Sequence, residues 1–242
     1  MKRLNMLNSS IVFKKCAHSI TCHLELRHRQ SNMFPFKGPC CVVISGITNS
    51  GKTTFVKRLL ENKNDMFDPK PLNVTYFYGQ FQNTFNEMEQ DMPFIQFEQG
   101  LPDQDKIIEL SNPDTHSLFI IDDLMSDVVN NKEIENLFTK YSHHRNISVC
   151  YLTQNLYCQG KCARNINLNT QYMVLMRNPR DVNQIKLLSK QLGVGDLLVK
   201  AYNDVHTKPF QYLLVDLSAH TDDKYRIRTN IFPHEDPIIY KQ

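Results

Sequence analysis

The stretch from Cys40 to Leu60, CCVVISGITNSGKTTFVKRLL, decides the fold of this chain. It opens with a short apolar run that ends at Ile44, and such a run is typical of a buried parallel strand. Residues 46–53 then match the pattern G-x-x-x-x-G-K-[ST], and apolar side chains follow at helical spacing. A strand, a glycine-containing turn and a helix in this order predict a phosphate-binding loop.

The residue types in this loop explain the chemistry it could support. Glycine lets the backbone curl so that successive N–H groups point at phosphate oxygens, and a helix starting at about Gly51 adds its positive end. Lys52 is expected to reach the β- and γ-phosphates of a nucleotide, and the Thr53 hydroxyl is expected to bind Mg²⁺. The predicted nucleotide contacts are Gly46, Ile47, Thr48, Asn49, Ser50, Gly51, Lys52, Thr53 and Thr54.

A second signal is SLFIIDD, which runs from Ser117 to Asp123. Four apolar residues followed by two carboxylates are typical of a buried strand that delivers an acid to the Mg²⁺ beside a phosphate loop. Asp122 is therefore predicted to hold the metal, directly or through water. Asp123 is predicted to polarise the attacking water, and the alternative for it is a helix N-cap or a loop acid.

The apolar run from Ile147 to Thr153 predicts another core strand, and Gln154 follows directly after it. Ligands of open α/β sheets bind at the carboxyl ends of the strands. Gln154 is thus predicted to orient a water against the γ-phosphate. The alternative is an amide that caps a loop at the end of the strand.

The remaining pattern predicts strands at 73–78 and 172–177, helices around 134–141 and 178–193, and a C-terminal β-hairpin formed by 210–217 and 225–231. Apolar runs alternate with segments of helical period, which favours an α/β fold with a mostly parallel sheet and helices on both faces. Residues 38–242 are predicted to form this domain.

Residues 1–37 form a predicted N-terminal extension that is basic. Its first 33 residues carry six lysines and arginines against one acid, Glu25. An arm that contacts nucleic acid, a poorly ordered extension and a mitochondrial presequence are all open interpretations.

Composition and cysteine content limit the cellular compartments that fit this chain. The chain has 242 residues, 41% of them hydrophobic, and a formal net charge of +3. Apolar runs of about five residues are too short to span a bilayer, so a soluble protein without a membrane partner is expected. Seven cysteines, an odd number, favour a reducing, intracellular compartment. Cys158 and Cys162 could bind zinc, but their spacing is not that of a standard finger, which favours ordinary thiols.

Five segments together carry a family resemblance: GITNSGKT, SLFIIDDLM, RNISVCYLTQN, YMVLMRNPRD and YRIRTNIFP. From about residue 38 onward, the chain resembles the genome-packaging ATPases of large DNA viruses and Maverick/Polinton transposable elements, within the HerA/FtsK superfamily of P-loop NTPases. The resemblance implies a RecA-like ASCE core that binds ATP and Mg²⁺ and assembles as a homo-oligomeric ring. It also implies an ATPase that drives double-stranded DNA into a capsid without reading its sequence, with capsid proteins as further partners. The compartment that it implies is host cytoplasm, nucleus or virion.

The resemblance also implies details of the site. The superfamily often has Glu where this chain has Asp123. An arginine finger would be donated across a subunit boundary, and Arg145 fits best, with Arg164 and Arg180 in reserve; an ordinary surface arginine is the alternative. An ASCE sheet requires 147–153 to lie between 40–45 and 117–122.

Two other classes of protein stay open at this point. One is a P-loop kinase of a small molecule, which would pair 117–122 directly with 40–45. The other is a nucleotide-binding scaffold that does not hydrolyse its ligand, although the set of Lys52, Thr53, Asp122 and Gln154 argues against it.

Overall fold

A computed structural model describes residues 11–15, 22–24, 35–122, 124, 128, 131–157, 161–180 and 182–241. Asp123 and Cys158 lie outside the described residues. Within the described part of the chain, no helix is long and apolar enough to cross a membrane.

The described strands form one large mixed sheet and a small ribbon. The strands are β1 (Ile11–Lys15), β2 (Cys22–Leu24), β3 (Phe36–Lys37), β4 (Cys41–Ser45), β5 (Phe67–Asp68), β6 (Asn73–Tyr78), β7 (Ile95–Gln99), β8 (Ser117–Asp122), β9 (Ile147–Thr153), β10 (Tyr172–Met176), β11 (Tyr212–Asp216), β12 (Ile227–Thr229) and β13 (Ile238–Lys241). Eleven of them form the sheet in the order β2-β1-β13-β12-β11-β10-β4-β9-β8-β6-β7, and β3 pairs with β5.

The helices connect these strands and cover the sheet. They are α1 (Lys52–Glu61), α2 (Lys63–Met66), α3 (Asn83–Asp91), α4 (Gln104–Leu110), α5 (Lys132–Asn136), α6 (Lys161–Leu168), α7 (Val182–Gln191) and α8 (Leu197–Val205). A π-helical turn, Leu137–Tyr141, and a short helix, Ser142–His144, continue α5 up to β9.

The centre of the sheet has the order that the sequence predicted. β4 pairs in parallel with β9 and with β10, and β9 pairs in parallel with β8. Strand β9 therefore separates β4 from β8, as an ASCE core requires. A kinase-type order, with β8 directly beside β4, is excluded by these pairings.

Apolar side chains fill both faces of the sheet, which confirms the predicted layers. Along β4, Cys41 and Val43 belong to one buried cluster, whereas Val42 and Ile44 belong to the other. Successive side chains of a strand point to opposite faces, so an apolar run such as β4 needs cover on both. Helix α1 packs on the second face, and α7 and α8 pack on the first.

The cysteines in this core behave as small apolar residues. Cys40, Cys41 and Cys150 are buried and free. Burial raises the pKa of the Cys40 thiol to about 12. A buried thiol of this kind is inert at neutral pH.

The C-terminal part of the sheet is antiparallel and contains the predicted hairpin. β11 pairs with β12, so that Leu214 lies opposite Arg228. The sheet also continues through β13 to β1 and β2, in segments where the sequence predicted no strands. Residues 11–15 and 22–24 of the predicted extension are therefore strands of the same sheet, whereas Phe36–Lys37 belongs to the ribbon with β5. The boundary at residue 38 stays a prediction.

A buried ion pair joins the two strands of the hairpin. The Arg228 Nη2 donates to Asp216 Oδ2 at 2.8 Å, and the two side chains are 2% and 3% exposed. Asp216 also accepts hydrogen bonds from the Ser218 amide, the Ser218 hydroxyl and the Thr221 hydroxyl. Burial lowers the pKa of Arg228, and the charge of Asp216 opposes that shift. A charge buried this deeply stays in place only while its partner is present.

We expect Arg228→Met to lower the free energy of unfolding by about 3–5 kcal/mol, because it leaves the Asp216 carboxylate buried without its counter-charge. Lys224→Met is the matched control, since Lys224 pairs with Asp222 on the exposed surface of the same hairpin. Urea titration followed by far-ultraviolet circular dichroism measures both variants. An equally small loss in both would show that the buried pair does not stabilise the hairpin.

Candidate active site

The predicted phosphate loop joins the end of β4 to the start of α1. Asn49 and Gly51 have positive φ angles of 63° and 102°. A Cβ atom added at Gly46 would lie 2.4 Å from the Cβ of Met176 and 2.6 Å from the Ser50 hydroxyl. The two glycines are therefore required for different reasons, Gly51 by its backbone conformation and Gly46 by the close approach of its neighbours.

Polar groups of this loop are positioned for an anion. The Lys52 ammonium donates to the carbonyl oxygens of Gly46 at 2.6 Å and Ile47 at 3.0 Å. The Ser50 hydroxyl is buried and has no hydrogen-bond partner within the described structure. A buried hydroxyl without a partner is costly unless a ligand supplies one, and a phosphate oxygen would do so.

Asp122 ends β8 and is buried, with 5% of its surface exposed. The Tyr76 hydroxyl donates to its Oδ2 at 2.6 Å. Burial, and then the charge of Asp122, raise the pKa of Tyr76, so the phenol remains a donor at neutral pH. Tyr76 thus fixes the orientation of the predicted metal-binding carboxylate.

A cavity of about 600 Å³ brings most of the predicted residues together. Its size is within the range of small-ligand sites. It is lined by Thr48, Asn49, Gly51, Lys52, Thr53, Thr54, Gln82, Asp122, Leu152, Thr153, Gln154 and Phe210. The cavity lies at the carboxyl edge of the parallel strands, where the Gly46 amide also donates to the Thr153 carbonyl at 3.1 Å. The loop, the acid at the end of β8 and the amide after β9 therefore face one site.

These residues fit a magnesium–nucleotide complex. Thr53 and Asp122 would hold Mg²⁺, because a hydroxyl and a carboxylate are the hard oxygen ligands that this ion prefers. The backbone amides of the loop, Lys52 and Ser50 supply donors for phosphate oxygens. The roles of the individual residues stay predictions.

Arg145 lies away from this cavity, at the opposite edge of the sheet. It precedes β9, and its guanidinium donates to the Ser111 hydroxyl at 2.7 Å, the Ser111 carbonyl at 2.6 Å and the Ile108 carbonyl at 3.1 Å. These contacts satisfy carbonyl groups at the C-terminus of α4, so the Arg145 guanidinium is held within its own chain. Arg164 and Arg180 are exposed. The identity of an arginine finger stays a prediction, because it involves a second subunit.

Sequence reasoning missed several residues that shape the site. Tyr76 was assigned only to a core strand, although a buried tyrosine hydroxyl needs a partner. Gln184 on α7 accepts hydrogen bonds from the backbone amides of Leu156 at 2.9 Å and Tyr157 at 3.4 Å. It thereby holds the loop that follows Gln154. Gln82 and Phe210 line the cavity from segments that carry no motif.

Cys162, one of the two cysteines considered for zinc, makes an ordinary hydrogen bond within the described structure. The Cys162 thiol is buried and donates to the Asn131 carbonyl at 3.6 Å. No group of three or more His, Cys, Asp or Glu side chains forms a metal site among the described residues.

No model of a known protein family and no curated protein sequence matches the chain. Solved structures do match it. The genome-packaging NTPase B204 of Sulfolobus turreted icosahedral virus 2, in complex with sulfate, has a TM-score of 0.50 at 14% identity over 75% of this chain and 93% of its own. The DNA-packaging ATPase B204 of Sulfolobus turreted icosahedral virus has a TM-score of 0.50 at 16% identity over 80% and 96%.

A third match is the cytoplasmic domain of the type VII secretion ATPase EccC of Thermomonospora curvata. It has a TM-score of 0.53 at 11% identity, over 89% of this chain and 27% of its own. The chain has the fold of these P-loop NTPases. The resemblance to packaging ATPases is thus confirmed at the level of the fold.

In this P-loop NTPase fold, Tyr76→Phe removes the hydrogen bond to Asp122 and leaves the ring in place. Removing a partner that orients a metal ligand typically costs 10- to 100-fold in metal affinity or activity. We therefore expect the Mg²⁺ concentration for half-maximal nucleotide turnover to rise roughly 10-fold or more.

Tyr240→Phe is the matched control, because the Tyr240 hydroxyl makes the same kind of bond, at 2.6 Å, to Asp204, and neither residue lines the cavity. Turnover is measured across a Mg²⁺ titration for both variants. The same Mg²⁺ dependence in Tyr76→Phe and wild type would contradict the role of Tyr76.

Proposed function

We propose that this chain is an ATP-hydrolysing motor that moves double-stranded DNA. The observation that carries the proposal is the convergence of the phosphate loop, Asp122 and Gln154 on one cavity in a sheet of ASCE order. An acid and a strand-end amide beside the predicted position of the γ-phosphate support hydrolysis, which needs such groups, over simple nucleotide storage, which does not.

Each residue has a distinct part in the proposed reaction. Lys52 and the loop amides hold the phosphates and neutralise charge that develops on them. Mg²⁺, held by Thr53 and Asp122, would supply further positive charge at the phosphate oxygens. Gln154 orients the attacking water, and Asp123 accepts its proton. Tyr76 keeps Asp122 in the orientation that the metal requires.

The structural neighbours support DNA as the proposed substrate, and the net charge of the chain indicates how DNA would be bound. Two solved neighbours are named as packaging NTPases, and the shared fold spans 93% and 96% of their chains. A net charge of +3 is too small for tight binding of DNA by one subunit. We therefore place the DNA contacts in a homo-oligomeric ring, where weak phosphate contacts of several copies act together. Origin from a virus or transposon, and capsid proteins as partners, belong to the same proposal.

The decisive test is ATP turnover by the purified protein with and without duplex DNA. We expect turnover that duplex DNA of any sequence stimulates, and a stimulation that falls steeply with salt because it depends on phosphate contacts. Lys52→Ala should abolish turnover and most nucleotide binding. Lys57→Ala is the matched control, since Lys57 lies on the same helix and pairs with Asp91 instead of lining the cavity.

The outcomes separate the parts of the proposal. Turnover that is lost in Lys52→Ala but never responds to DNA in an assembled oligomer would leave an ATPase and overturn the motor. Equal turnover in Lys52→Ala and wild type would overturn the ATPase itself.

A second prediction separates binding from chemistry. Asp123→Asn should bind ATP with the wild-type affinity but hydrolyse it roughly 10²- to 10⁴-fold more slowly, because a general base acts mainly in the chemical step. Asp91→Asn, on the exposed end of α3, is the control and should leave kcat unchanged. Nucleotide affinity by calorimetry and kcat by phosphate release are compared for both. Wild-type kcat in Asp123→Asn would show that another group accepts the proton.

A further inference from the structure

Phe210 is an unusual residue at the edge of the cavity. Its side chain is 66% exposed, although burial of a phenylalanine ring would stabilise the fold. Its φ angle is 59°, in the left-handed region that residues other than glycine seldom adopt. Bulky residues held in such conformations cluster at ligand sites. Phe210 therefore calls for an explanation beyond folding.

The ring lies directly against the phosphate loop. A Cβ atom added at Gly51 would lie 3.1 Å from the Cδ1 of Phe210, and both residues line the cavity. The segment between α8 and β11 brings Phe210 there. Because β11 runs antiparallel to β10, its first residue, Tyr212, lies opposite the last residue of β10, Met176, at the carboxyl edge of the sheet.

The sheet order decides which part of a nucleotide would reach Phe210. Asp122 ends β8 and Gln154 follows β9, both on one side of β4, and they mark the end where the γ-phosphate is expected. Phe210 precedes β11, on the other side of β4. A nucleotide whose phosphates lie across the loop with the terminal phosphate toward Asp122 would direct its nucleoside toward Phe210.

We propose that Phe210 is the stacking platform for the base of the bound nucleotide. This inference rests on the proposed nucleotide site and assigns a residue to the end of it that no motif marks. The exposed ring of Phe210 gains apolar burial from such a contact, because a base that stacks on it removes the contacting face of each ring from water. Stacking uses the π-face that every base has, so the contribution is shared by adenine and guanine nucleotides.

The test compares ligands with and without a base. Affinities of ATP, GTP and inorganic tripolyphosphate, each with Mg²⁺, are measured by calorimetry for the wild-type chain and three variants. Phe210→Leu keeps an apolar side chain without the ring, Phe210→Asn suits the left-handed backbone without the ring, and Phe210→Tyr keeps the ring. Phe94→Leu, at an exposed phenylalanine that does not line the cavity, is the matched control.

We expect Phe210→Leu and Phe210→Asn to weaken the affinities for ATP and GTP roughly 5- to 150-fold and to leave the affinity for tripolyphosphate unchanged. Phe210→Tyr and Phe94→Leu should bind all three ligands as the wild type does. An equal loss for tripolyphosphate would overturn the proposal, because Phe210 would then act by shaping the loop at Gly51.

Unchanged nucleotide affinity in Phe210→Leu and Phe210→Asn would also overturn the proposal. If these variants also lost their oligomers, the Phe210 side chain would be identified as a contact between subunits. If the wild-type chain bound tripolyphosphate as tightly as ATP, the proposed role of Phe210 in base stacking would be wrong, and the proposed phosphate site would be unaffected. A wild-type chain that binds neither would overturn the proposed function as well.

Discussion

The placement of β9 between β4 and β8 is the constraint on which the rest of this structure depends. All seven residues of β9 are buried, and it pairs in parallel with a strand on each side. Parallel strands end at the same edge, so the phosphate loop, Gln154 and Asp122 emerge side by side. The hydrogen bond from the Gly46 amide to the Thr153 carbonyl ties the first two together. The site is therefore a consequence of strand order, which the core on both faces of the sheet keeps in place.

The sequence predicted this centre well because central parallel strands are read locally. A strand buried on both faces is an apolar run, and the runs around Val43, Ile120 and Val149 are all strands. The outer strands depend on partners far along the chain. Val12 of β1, for example, lies opposite Ile238 of β13, and neither short segment carries a local pattern that requires a strand. Pairing over such a separation is a property of the folded chain, which no window of sequence contains.

The same distinction explains which site residues could be predicted. Lys52, Thr53 and Asp122 belong to motifs in which neighbouring residues define the chemistry. Tyr76 and Phe210 contribute only because the fold carries them to Asp122 and Gly51. Arg145 is a residue for which the fold adds contacts that the sequence does not reveal. Its position before a core strand favours a catalytic cation, which stays a prediction, and the fold gives its guanidinium three acceptors at the end of α4.

The two sides of the cavity are held by different physical means. On the side of Asp122, hydrogen bonds fix the polar groups. Tyr76 donates to the Asp122 carboxylate, and the Gln184 side chain accepts hydrogen bonds from two backbone amides of the loop after Gln154. Electrostatic stabilisation of developing charge requires such preorganised dipoles. If the dipoles had to reorient during the reaction, the free energy of that reorientation would offset the stabilisation that they provide. On the other side, Phe210 is positioned by its backbone and presents a flat, exposed ring. Stacking tolerates small lateral shifts of a base. Rigidity is therefore concentrated where the proposed hydrolysis would move charge, and the proposed contact with the base is the one that tolerates small shifts.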